Sequence, residues 1–180
     1  MKQENLGRYI LRLAVTLLAI TALVSAALAG VNAITKDRIA QIKVQKTLDA
    51  MAMVLPGVTG LEEMPLSGDT GIIAAVYASG DSYAVQVTPA GFGGGVTMMV
   101  GITGGEVQGI SVISHAETPG LGAIAADSGP KGESFRAQFQ GLSGTLAVGQ
   151  QINAITGATI TSKAVTEGVN AALNYVANLG

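Results

Sequence analysis

The sequence predicts an α+β fold attached to a single N-terminal membrane helix, and three observations carry that prediction. From Leu13 to Thr35, 23 consecutive residues include no charged side chain. Between residues 71 and 117, four strand-like segments are paired by a Gly-Asp and a Gly-Gly turn. Over residues 161–180, apolar residues recur at helical spacing. Composition agrees, because charged residues are only 12% of the 180, about half the ~25% usual in a soluble domain. Aromatic residues are 4%, so the core must be built mostly from Ala, Val, Ile and Leu.

The first element is the apolar run "LAVTLLAITALVSAALAGVNAIT", residues 13–35. As a helix it is roughly 35 Å long at about 1.5 Å per residue, enough to cross a bilayer core of roughly 30 Å. Its Thr and Ser hydroxyls can bond back to their own helix. A cleaved signal peptide is the rival reading, with Lys2, Arg8 and Arg12 as its basic start and "ALAG" at 27–30 as its cleavage site. The apolar run exceeds the roughly 7–15 residues of a signal-peptide core, which favours a retained anchor. Basic residues flank both ends, with Lys36, Arg38, Lys43 and Lys46 following the run, so charge alone leaves the orientation open. The small residues Ala22, Ser25, Ala26, Ala29 and Gly30 suit either close packing against partner helices or a plain lipid anchor.

Residues 36–56 follow as a connecting helix, with Ile39, Ile42, Leu48, Met51, Val54 and Leu55 at helical spacing and Pro56-Gly57 as its stop. The remaining residues, 57–180, form one domain. Strands are predicted over 71–79 and 82–89 around "GD", and over 95–103 and 106–117 around "GG". Residues 133–142 read as a short amphipathic helix. The helix over 161–180 presents Ala164, Val165, Val169, Ala172, Leu173 and Val176 on one face. No internal repeat and no low-complexity tract interrupts this order.

Several function classes are excluded at this level. A net charge of −2 gives no electrostatic case for nucleic acid. The absence of cysteine excludes disulfides, cysteine-ligated iron–sulfur clusters and a thiol nucleophile. With His115 as the only histidine, one chain cannot build a multi-histidine metal site.

Glycine is concentrated in three loops: "GFGGG" (91–95), "HAETPGLGA" (115–123) and "TGATITS" (156–162). Each alone reads as a tight turn, whereas three in one small domain suit close backbone approach to a flat or extended ligand. In "TGATITS", Thr156, Thr159, Thr161 and Ser162 precede the last helix. One hydroxyl is expected to cap that helix. The helix N-terminus is also a seat for phosphate, which nearby hydroxyls can bond or carry covalently. The segment has neither the GK[ST] ending of a Walker motif nor a G-x-G-x-x-G pattern. His115 is too isolated for metal or triad chemistry and reads as a polar loop residue. Glu117 reads as a solvated loop charge or an acceptor for adjacent backbone.

These segments together resemble one family. "TGATITS" is similar to the [ST]-G-A-T-x-[ST] flavinylation motif, "HAETPGLG" to an H-x-E-T-P-G-L-G loop, and "GFGGGVTMMVGI" to a G-[YF]-G-G-x-x-x-x-M-V-G-I segment. With the N-terminal helix they resemble the G subunits of the Rnf complex, an ion-translocating ferredoxin:NAD oxidoreductase. The C subunit of sodium-translocating NADH:quinone oxidoreductase is related to these. The resemblance covers essentially the whole chain.

The resemblance implies FMN joined through its phosphate to Thr159 by a separate flavin transferase, with FAD as donor and magnesium. The cofactor-binding residues it implies are Thr156, Gly157, Ala158, Thr161 and Ser162 in one loop and His115, Glu117, Thr118, Gly120, Leu121 and Gly122 in the other. No catalytic residue and no metal ligand is implied, since Thr159 is an attachment point. The chain is then a redox relay among the other Rnf subunits, coupled to Na+ or H+ export, with residues 1–12 in the cytoplasm and the FMN-binding domain outside. Asn153 stands where many members carry Asp, so a carboxylate is missing there. The alternative is a stand-alone flavinylated reductase domain, recognisable by turnover of the isolated domain with a small acceptor. A non-redox scaffold, the third possibility, predicts no bound flavin and normal assembly after Thr159→Val.

Overall fold

The structure, a computed structural model, describes residues 3–66 and 70–179. Lys2, counted above among the flanking basic residues, and Gly180, the end of the predicted last helix, lie outside them. The chain divides into two compact units that meet in sequence between Gln45 and Lys46.

Helix α1 (Gln3–Val54) contains a stretch long and apolar enough to cross a membrane. Its apolar side chains, including Leu17, Leu23 and Leu28, are exposed. The hydroxyls of Thr16, Thr21 and Thr35 donate to the carbonyls of Arg12, Leu17 and Val31 at 2.8, 2.9 and 2.8 Å. Their polarity is thereby hidden within the helix, as the sequence predicts.

In the second unit, the last turns of α1 end against a sheet. Ala50, Met51, Val54 and Leu55 are buried there with Ala84 and Met99. The predicted apolar face is thus only partly used: Leu48 is exposed and burial begins at Ala50, while Ile39 and Ile42 are exposed in the first unit. Gly101 lets the helix end come this close, since a Cβ there would stand 2.5 Å from the Val54 carbonyl oxygen. Gly101→Ala is expected to cost about 1–3 kcal/mol through overpacking against backbone, read as a lowered midpoint in thermal unfolding.

The sheet is an antiparallel meander in the order β1 (Glu62–Met64), β2 (Ile73–Ser79), β3 (Ser82–Val87), β4 (Thr97–Thr103) and β5 (Glu106–Ser114). The Gly-Gly turn joins Thr103 to its partner Glu106, with φ of +60° at Gly104 and +79° at Gly105. Positive φ at both central residues is what a type I′ hairpin turn requires. Four strands match the predicted segments, and β1 is an addition at the sheet edge. Burial, and secondarily the carboxylate of Glu63 paired opposite it, raise the Tyr77 phenol above its ordinary value.

Alternation along each strand serves two cores. Ala84 and Met99 join the α1 side, while Val85 and Met98 join the larger core on the other face. That larger core is closed by α2 (Pro130–Ala137) and α3 (Thr159–Ala177), through Phe135, Val165, Val169 and Leu173. Helix α2 lies earlier than the predicted 133–142 because Pro130 occupies its first turn, where a missing N–H costs nothing. A 3₁₀ turn at Gly122–Ala126, not predicted, links β5 to α2. The loops 88–96, 115–121 and 153–158 meet at one end of this assembly.

Candidate functional site

Where the loops meet lies a cleft of about 330 Å³, toward the lower end of the roughly 300–1,000 Å³ usual for ligand pockets. The "GFGGG" loop contributes Phe92, the "HAETPGLGA" loop contributes Glu117, Thr118, Leu121 and Gly122, and the segment leading into α3 contributes residues 157–161. The three glycine clusters singled out in the sequence therefore build one site. Its mouth is apolar: Phe92, Leu121 and Ile160 are 69%, 43% and 54% exposed.

Glu117 organises the interior. It is not a solvated loop charge, being only 6% exposed. Its Oε1 accepts the Gly93 N–H at 3.0 Å and its Oε2 accepts the Thr161 hydroxyl at 2.5 Å. One carboxylate thus joins all three loops. The glycines beside it leave the space it fills, because a Cβ on Gly91 would meet Oε1 and one on Gly122 would meet Oε2, each at 2.3 Å. His115 accepts the Glu117 N–H on its Nδ1 at 3.2 Å, so it braces the loop from behind.

The start of α3 departs from expectation. The helix begins at Thr159, two residues before the predicted start, so its N-cap is Ala158 and no side chain caps it. The spare hydroxyls do other work. Ser162, one turn inside the helix, accepts the Ile155 N–H at 3.0 Å and donates to the Ala158 carbonyl at 3.0 Å. It thereby fixes the Ile155–Ala158 turn, closed by the Ala158 N–H on the Ile155 carbonyl at 2.9 Å with Gly157 at φ +78°. Thr161 is committed to Glu117, while Thr159 is exposed and lines the cleft. Ser162→Ala strands the buried Ile155 N–H and is expected to cost about 1–3 kcal/mol, seen as earlier unfolding in denaturant.

Of the residues implied by the sequence motifs, Gly157, Ala158, Thr159, Thr161, Glu117, Thr118, Leu121 and Gly122 line this cleft. Thr156 and Gly120 instead border a neighbouring groove of about 660 Å³ with Lys131 and Asn153. His115 stands at a third depression beside Gly120, and Ser162 is buried within the fold. The exposed Asn153 is held through its backbone, its N–H donating to Gln138 Oε1 at 2.8 Å and its carbonyl accepting from Gln138 Nε2 at 3.3 Å. Phe92 and Ile160 were not singled out from the sequence. The available signal for Phe92 was a lone aromatic ring among glycines.

The geometry suits an anionic group at the uncapped α3 N-terminus, beside a free hydroxyl, with an adjoining flat apolar body. Free N–H groups and partial positive charge meet the anion there. Among the described residues no cluster of His, Asp and Glu is placed to hold a metal ion.

Comparison with known proteins agrees with this geometry. A family model described as "FMN-binding domain" matches residues 91–174, which include all three loops. The G subunit of the Na(+)-translocating ferredoxin:NAD(+) oxidoreductase complex of Acetobacterium woodii is 34% identical over 194 residues, covering 96% of this chain and 94% of that protein. The G subunit of the ion-translocating oxidoreductase complex of Methanosarcina acetivorans is 30% identical, covering 94% and 96%. The G subunit of the proton-translocating ferredoxin:NAD(+) oxidoreductase complex of Clostridium ljungdahlii is 43% identical over 103 residues, 53% of each chain. With similarity running nearly end to end and the matched domain containing the cleft, this chain belongs to the family of G subunits of ion-translocating oxidoreductase complexes.

Proposed function

We propose that this chain is the membrane-anchored flavin carrier of an ion-translocating ferredoxin:NAD oxidoreductase complex, holding FMN through a phosphoester to Thr159. The observation that carries this reading is the exposed Thr159, placed at the first residue of an uncapped helix and on the wall of the three-loop cleft. The residues fit the group. The α3 N-terminus suits the remaining phosphate charge, Phe92, Leu121 and Ile160 suit the faces of a flat ring, and the glycines let backbone amides approach it.

Attachment is by transfer from FAD, catalysed by a flavin transferase with magnesium. Thr159 Oγ1 forms the new bond to the FMN phosphorus, the pyrophosphate bond to AMP breaks, AMP leaves, and the hydroxyl proton is released. Bound FMN supplies the electron-transfer chemistry. This chain's residues orient it, shield it and set the field around it. No side chain is required as acid, base or nucleophile during turnover.

In the same reading residues 13–35 span the cytoplasmic membrane and residues 1–12 lie in the cytoplasm. Residues 36–56 connect the span to the domain at 57–180, which faces outward and exchanges electrons with neighbouring redox subunits, coupled to Na+ or H+ export. A covalent link suits a compartment where free flavin is scarce and easily lost. The test is the intact mass of the chain from its native membrane, with peptide mapping of residues 153–163. The expected result is an increment of FMN minus water on Thr159. An unmodified mass in a host with an active transferase would sink the reading.

A further inference from the structure

Among the described residues Glu117 is the one buried acidic group, and its two direct partners are neutral, an amide and a hydroxyl. Both oxygens are held by hydrogen bonds to the other two segments. Arg136, on α2, does not pair with it: its Nη1 donates to the carbonyls of Ala125 and Asp127 at 2.9 and 2.8 Å. A charge held in this way keeps much of its field, because buried pairs and charges are screened far less than exposed ones. Glu117 also lines the cleft itself.

We propose that Glu117 is a positioning residue with an electrostatic role: it locks the three loops together, and its negative charge, offset only in part by the α3 N-terminus, lowers the reduction potential of the flavin held in the cleft. The inference rests on the flavin reading above. Electrons added to a group in the cleft raise its negative charge, and a fixed carboxylate on the wall opposes that. Thr161 tempers the effect, because its hydroxyl donates to the carboxylate and draws off part of the charge. The pair therefore gives two handles of opposite sign on one property.

Two near-isosteric variants separate this role from simple packing. Glu117→Gln keeps an acceptor for the Gly93 N–H and turns an amide N–H toward Thr161 Oγ1, so the clasp remains while the charge goes. Thr161→Val keeps the charge and removes its hydroxyl partner. Each full-length chain is produced with an active flavin transferase, purified in detergent, checked for covalent flavin by mass, and titrated potentiometrically by its visible absorbance. The midpoint potential is expected to shift positive in Glu117→Gln and negative in Thr161→Val, with flavin still attached through Thr159. A merely structural clasp loosens the cleft in both variants and moves both potentials the same way, which overturns the inference. Full flavin occupancy with an unchanged potential in Glu117→Gln overturns it as well. If Glu117→Gln fails to fold, Thr161→Val decides alone, and an unchanged or positive shift there is fatal. Absence of flavin from the unsubstituted chain is a separate result, visible by mass alone, that overturns the attachment reading and this inference with it.

Discussion

A chain carrying Thr159→Val is expected to lose covalent flavin completely and to keep its fold. Thr159 is exposed at the first residue of α3, and among the described residues its hydroxyl makes no hydrogen bond. Valine retains the branched Cβ and puts a methyl group in place of the hydroxyl. The stability change should stay within about 0.5 kcal/mol, as for surface substitutions away from special features. Loss of the hydroxyl leaves no atom there to form the phosphoester, so the intact mass should fall to that of the bare polypeptide. In-gel flavin fluorescence should vanish, and the unfolding temperature measured without flavin should match that of the unmodified parent. Thr159→Ser restores the oxygen and should regain part of the modification. Flavin retained in Thr159→Val would place the attachment on another hydroxyl, and Thr156 is the nearest exposed candidate in the motif.

What the sequence disclosed follows from which forces act locally. The four long strands were legible because alternation and two-residue glycine turns are local signals, and even the apolar string "TMMVGIT" resolves into two faces once Met98 and Met99 are seen to enter different cores. Strand β1 was not legible. It is three residues long, two of them glutamate, and it exists only because β2 offers an unpaired edge. The cap was misplaced for a related reason. A string of hydroxyls predicts a helix start without fixing the residue, and the tertiary partners Ile155 and Glu117 claimed Ser162 and Thr161. The burial of Glu117 had no sequence signature either, since it depends on an amide 24 residues away and a hydroxyl 44 residues away. The motifs located the site, and its internal wiring required the fold.

That wiring makes Gly93 a more severe point of failure than its exposure suggests. A Cβ at this position would stand 2.0 Å from the Ala116 carbonyl oxygen and 2.8 Å from the Ala116 carbonyl carbon. Both atoms belong to backbone, so no rotamer change relieves the clash and the 91–95 loop must move away from the 115–121 loop. The Gly93 N–H then leaves Glu117 Oε1, its acceptor at 3.0 Å. Overpacking costs about 1–3 kcal/mol, and an unpaired buried carboxylate oxygen adds about 1–3 kcal/mol. Gly93→Ala is therefore expected to lower stability by about 2–6 kcal/mol in total, a large part of the roughly 5–15 kcal/mol typical of a domain. Thr159 is untouched, so the flavin should still attach wherever the chain folds, while its enclosure is lost. The visible circular dichroism of the attached flavin should weaken, and its fluorescence should become more readily quenched by a soluble quencher. An unchanged melting curve with an unchanged flavin spectrum would show that the two loops do not touch as described. On the proposed attachment, presence and enclosure of the flavin fall to different residues: Thr159 for the first, and the Gly93–Glu117–Thr161 clasp for the second.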